Sequence, residues 1–170
     1  MNNFRQRLHE MIDELPNVEV FNLLSYVSFI KGRYDFIHFL KKDGIVVKDH
    51  GNAQSLRIDW EVKFTNSVSE SMKHDIHFNE FLWHVFSNKL LSCLEGKEAM
   101  EAFDEIEKDS CCVFYQSHDF AWKLECANIL KAKDFMNEQD IYVVDSNYKW
   151  TYVNTHEREF GPYFYQQSKI

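Results

Sequence analysis

"DIYVVDSNYKWTYVNT", residues 140–155, decides the fold. Two runs rich in β-branched and aromatic residues flank the polar pair Ser146-Asn147, which is the pattern of a β-hairpin. With that pair as a two-residue turn, Val143 faces Trp150 and Ile141 faces Tyr152, so four large apolar side chains share one face. A longer turn would shift this register.

Upstream, "CCVFYQ" (111–116) and "FAWKLECA" (120–127) are separated by "SHD", which predicts a second hairpin. "FLWHVFS" (81–87) reads as a further strand, with His84 sharing a face with Leu82 and Phe86, and Ile45–Val47 as a short one. Helical spacing recurs over 53–65, burying Leu56, Trp60 and Phe64, and over 94–109, where Ala99, Phe103 and Ile106 line one side and carboxylates the other. "KAKDFMNEQ" (131–139) predicts a short helix, while the polar stretch 66–79 reads as loop.

The N-terminal part is helical throughout. Phe4, Leu8, Met11 and Leu15 form a stripe that Pro16 ends. Asn17 is the expected N-cap of a second helix, whose stripe runs from Val20 through Leu23, Val27 and Ile30. Gly32 interrupts it, and Lys41, Lys42 and Gly44 suit its C-terminus. The expected fold is therefore α+β: a mainly antiparallel sheet of about five strands, helices on one face, preceded by a helical hairpin. The expected division is a helical segment, 1–44, and an α+β domain, 45–170.

Composition agrees with a packed, aromatic-rich interior: 45% of the 170 residues are apolar, with fifteen Phe, eight Tyr and four Trp. No apolar run is long enough for a transmembrane helix and the N-terminus lacks a signal-peptide core, so the expected location is cytoplasmic, with no membrane partner. Cys93, Cys111, Cys112 and Cys126 form no C-x-x-C pair and are expected to be reduced and mostly buried.

The net charge of −8 is unevenly spread: residues 1–48 sum to +1 and residues 49–170 to −9. Direct nucleic-acid binding needs a basic face and is disfavoured, whereas a basic protein partner is favoured.

From residue 79 onward, the blocks "LWHVFS", "CLEGKEA", "FYQ", "DIYVVD", "WTYVNTHE" and "GPYF" follow one another in order. Together they resemble a family of small acidic bacterial proteins catalogued as a domain of unknown function. The resemblance implies an immunity protein, encoded beside a secreted polymorphic toxin and neutralising it; it implies no catalytic residues. Separately, "LHEMIDELPNVEVFNLLSYVSFIK" resembles a helix-Leu-Pro-helix module of small antitoxin-like proteins.

Two sets of residues are candidates for function. The acidic helix offers Glu95, Glu98, Glu101, Asp104 and Glu105 as contacts for a basic toxin such as a nuclease, since a segregated negative surface steers association. The alternative is a small enzyme or metal protein built on His84, His118, His156 and Glu157. His156 and Glu157 are neighbours and diverge in extended structure, so they serve one site only if the chain turns there. His74-x-x-His77 with Glu80 has metal-like composition in a polar stretch, and Cys93 precedes a helix N-terminus, which can lower a thiol pKa. There is no phosphate-binding glycine loop, nucleophile elbow or zinc-protease motif, so the expectation is a non-enzymatic protein with no cofactor. The apolar N-terminal stripes offer a homodimer contact.

Overall fold

The computed structural model describes residues 3–157 and 159–167. They divide into two compact units, one ending at Asp43 and the other beginning at Gly44.

In the first unit, α1 (Phe4–Asp13) is capped by Asn3, whose side chain accepts from the Gln6 N–H. It buries none of its side chains. In α2 (Asn17–Lys42), Pro16 rather than Asn17 is the N-cap: its carbonyl accepts from Glu19 and Val20, so Asn17 is already helical. Gly32 does not interrupt α2, since one glycine within a helix costs only about 1 kcal/mol. Lys41 and Lys42 lie in its last turn, and Gly44 follows at φ 91, the left-handed conformation that glycine takes without Cβ strain.

The second unit is organised by a seven-stranded sheet in the order β1-β4-β3-β5-β6-β7-β2, with antiparallel pairing throughout. The strands are β1 (Val46–Asp49), β2 (Leu94–Glu95), β3 (Ser110–Tyr115), β4 (Ala121–Glu125), β5 (Ile141–Asp145), β6 (Trp150–Asn154) and β7 (Tyr163–Gln166). The α+β class holds, but the sheet exceeds the expected five strands because short edge strands join it. The sequence there is too brief to show alternation.

The hairpin β5–β6 forms, with a different turn. Val143 pairs with Tyr152 and Ile141 with Asn154, two residues away from the expected register. The Asp145 carboxylate accepts from the Asn147 and Lys149 N–H groups, and Tyr148 sits at φ 57. That conformation sends the Tyr148 ring against Phe64 (6.1 Å) and its hydroxyl to Asp59 (3.1 Å). A two-residue slip preserves side-chain parity, so Ile141, Val143, Trp150 and Tyr152 stay on one face.

Helices cover both faces, not one. On the first, α3 (Ala53–Phe64) buries Leu56, Trp60 and Phe64 against Phe114, Tyr142, Val144 and Val153, and the Trp60 indole donates to Thr151 at 3.0 Å. On the other, α6 (Gly96–Glu105) sets Phe103 against Trp150 and Tyr152, with Phe135 from a short 3-10 helix (Ala132–Phe135) beside it. The central strands β5 and β6 are thus buried on both sides, which their unbroken runs of apolar residues reflect.

Three local readings change. Residues 81–87 are not a strand but lead into the helical turn α5 (His84–Ser87). Their apolar side chains face a core on most sides, so no period is visible. The stretch 66–79 contains α4 (Glu70–Asp75), capped by Ser69 and tied by Lys73 to Glu61 (2.7 Å) and Glu70 (2.9 Å). The acidic helix is shorter than 94–109: Leu94–Glu95 pair with β7, and the chain turns extended at Ile106.

Candidate functional site

The acidic surface is built on α6. Ala99 and Phe103 point inward and are fully buried, which fixes Glu98, Glu101 and Glu105 outward on the exposed side. Their spacing of three and four residues aligns them along one ridge. Lys97 pairs with Glu101 at 3.2 Å, and Glu95, at the sheet edge, pairs with Lys89.

The cations nearest the end of the helix are turned inward. Lys108 is 1% exposed; its ammonium donates to the carbonyls of Phe103 (2.5 Å) and Ile106 (2.8 Å) and lies 4.7 Å from the Phe103 ring centre. Burial pushes its pKa down, with nearby Lys131 adding to the effect. Lys131 donates to the Asp104 carbonyl at 2.8 Å. Both lysines thus satisfy last-turn carbonyls of α6 instead of screening its outer face. Asp104 is engaged within the fold, its carboxylate accepting from the Ala132 N–H at 2.7 Å. The ridge left for a partner is Glu98, Glu101 and Glu105.

The histidines separate into different surroundings. His156 lies where the chain turns after β6. Its Nδ1–H donates to Asp140 (2.9 Å to either oxygen), as does its backbone N–H at 3.2 Å. The Trp83 indole N–H donates to the same carboxylate at 3.1 Å. This leaves Nε2 of His156 3.7 Å from Glu157, so the turn does bring these two sequence neighbours together. His156 and Glu157 line a cleft of about 490 Å³ with Glu138, Asn154 and Thr155.

His84 lines a separate, smaller cleft with Asp75 and His77; Glu157 and Phe160 border both. Its Nδ1–H donates to the Ile76 carbonyl at 2.7 Å. The two imidazoles share Phe81 and Trp83 as ring neighbours, but each ring has its own acceptor. His118 sits on the β3–β4 turn, where its carbonyl accepts from Arg57 at 3.1 Å. His74 and His77 lie beside different carboxylates, Asp75 and Glu80, each at 3.8 Å.

Asp140 was not visible as a site residue in the sequence. It opens β5 in the left-handed region (φ 48), and its three donors come from residues distant along the chain. Nothing local in "NEQDIY" signals that role. Cys93 behaves opposite to a helix-activated thiol: burial, and then Glu95, push its pKa up to about 12. Cys111 is buried and Cys126 exposed.

The fold and its surface define a two-unit chain whose α+β part carries an acidic helix on one sheet face and a histidine-aspartate cleft at one end of the central strands. Residues 34–164 match the family described as Domain of unknown function (DUF4275), and the chain belongs to this family. The match takes in the last third of α2 and nearly all of the sheet unit, well beyond the blocks after residue 79. Neither the comparison with curated proteins nor that with solved structures returned a match. Among the described residues, no helix is long and apolar enough to cross a membrane.

Proposed function

We propose that this chain is an immunity-type protein of the cytoplasm, which binds a cognate basic toxin domain and covers its substrate groove. The observation that supports this reading is the ridge of Glu98, Glu101 and Glu105, exposed on a helix near whose end Lys108 and Lys131 are drawn onto backbone carbonyls, although Lys97 on the same helix pairs with Glu101. A groove that holds nucleic acid is basic, and a row of carboxylates is complementary to it in charge. The ridge stands on a helix anchored by Ala99 and Phe103, so its backbone is already ordered before binding.

The test is co-expression with the product of the adjacent gene. Protection of the host cell from that product, together with recovery of a stable complex, supports the proposal. A harmless neighbour, or one that binds no more tightly than to a charge-matched control protein, sinks it.

A second reading is a hydrolytic enzyme, favoured by the Asp140–His156 pair at the wall of the larger cleft. An imidazole held by a carboxylate at Nδ1 has Nε2 placed for general-base work. His118, on the β3–β4 turn, lines neither cleft, and His84 is bonded to the Ile76 carbonyl instead of to His156 or Asp140. Hydrolysis of p-nitrophenyl acetate, phosphate and glycosides by the chain and by His156→Ala separates the two. Turnover above buffer that the variant loses favours the enzyme, and equal rates eliminate His156 as its base.

A further inference from the structure

The N-terminal unit exposes large apolar side chains along both of its helices. Between Phe4 and Phe39, twelve large apolar side chains are 40% or more exposed. At roughly 150–250 Å² for an aromatic side chain and somewhat less for an aliphatic one, they present on the order of 1,000 Å². These side chains lie on two helices and on several sides of α2, so they are not one patch, but their sum is comparable with the ~800 Å² per partner of a stable interface.

The pattern within α2 is regular. Val20, Leu23, Val27, Ile30, Tyr34 and Ile37 follow alternate steps of three and four residues, the a and d positions of successive heptads. All six are apolar; Val27, Ile30 and Tyr34 are 45%, 40% and 71% exposed, whereas Val20, Leu23 and Ile37 are half-buried, and Val18, Phe21, Leu24 and Tyr26 beside the seam are exposed as well. The first heptad, Val20 with Leu23, has the β-branched a and leucine d that favour two strands, while the later d positions are Ile30 and Ile37 and the third a position is Tyr34. The seam up to Ile30 lies outside the matched family region, which begins at residue 34.

Charge selects among occupants. Residues 1–43 hold six Lys/Arg and six Asp/Glu, so two copies meet without net repulsion. The basic partner of the preceding section is drawn instead to the acidic unit. A lipid surface would call for a helix rich in Lys and Arg on its polar face, and Glu10, Asp13, Glu14 and Glu19 deny it that. We infer that the occupant is a second copy of this chain, and that the protein is a homodimer joined along the α2 seam, with the apolar stripe of α1 flanking it.

Sedimentation velocity of the full chain at about 1–100 μM tests this. The expected result is a mass near twice 20.4 kDa. The double variant Val27→Asp/Ile30→Asp should sediment as a monomer, with a dissociation constant raised at least tenfold and an unchanged near-ultraviolet spectrum from the aromatic sheet unit. Should that variant lose helicity, Tyr34→Lys, at a 71% exposed position, carries the same expectation. A monomeric wild-type chain throughout the range overturns the proposal, and so does dimerisation that both variants retain. Wild-type monomers that float with phosphatidylglycerol vesicles overturn it too, in favour of a lipid surface.

Discussion

Asp140 gathers three donors from separate parts of the chain: the Trp83 indole, and the backbone and ring N–H groups of His156. It holds α5 against the turn that follows β6. Removing its carboxylate leaves these groups without their acceptor, so Asp140→Ala should lower unfolding free energy by about 3 kcal/mol, measured with urea. Asp140→Asn keeps one acceptor oxygen and should cost about 1 kcal/mol, because the left-handed backbone at this position suits asparagine as well. His156→Ala should fall between them. Cys93 gives a residue-scale prediction in pH. Its folded pKa of about 12 lies above that of an unfolded thiol, near 8.5. The folded chain therefore retains a proton that the unfolded chain releases between these values. Stability from this group is full below about pH 8.5 and falls as pH rises towards 12. Iodoacetamide at pH 8 should label the exposed Cys126 and spare Cys93 until the protein unfolds; rapid labelling of Cys93 in the native state would contradict this.

At the scale of elements, α6 ends on a buried lysine. Lys108→Met keeps the apolar stem and loses the bonds to the Phe103 and Ile106 carbonyls, which should cost about 1–2 kcal/mol. Lys108→Ala adds an unfilled volume and should cost about 3 kcal/mol, read from the same urea curves. Gly161→Ala is expected to destabilise by about 2 kcal/mol, since its φ is +95 and an added Cβ would meet Thr155 and Tyr163 at 3.3 Å. How much of this was legible follows from what each pattern encodes. Parity along β5 and β6 is a local property, so the shared face of Ile141, Val143, Trp150 and Tyr152 could be read although the turn could not. The turn depends on Tyr148 reaching Phe64 and Asp59, both from α3. Residues 81–87 failed for a related reason: a helical turn buried on most sides has no polar face to reveal its period. The pairing of Leu94–Glu95 with β7 was equally hidden, because only the completed sheet supplies the partner. For the candidate site, spacing placed Glu98, Glu101 and Glu105 on one helix face, but it also set Glu95, which lies in a strand, and Asp104, which is bonded to Ala132, among them. The inward turn of Lys108 and the role of Asp140 were not legible, since both are set by contacts across the fold.

For the whole molecule, the charge distribution organises the account. A near-neutral helical unit carries the apolar seam, and an acidic sheet unit carries the ridge. Family membership covers the second of these and part of α2, without assigning a role to either. If the ridge works by electrostatic steering, association with the basic partner should slow by about tenfold between 0.05 M and 0.5 M salt, while dissociation changes little. The most direct test of the central claim is the affinity of the neighbour-encoded protein for the wild-type chain and for Glu98→Lys/Glu101→Lys/Glu105→Lys, measured by surface plasmon resonance. The account predicts at least a hundredfold loss of affinity in the triple variant with unchanged thermal unfolding; equal affinity of the two chains would contradict it.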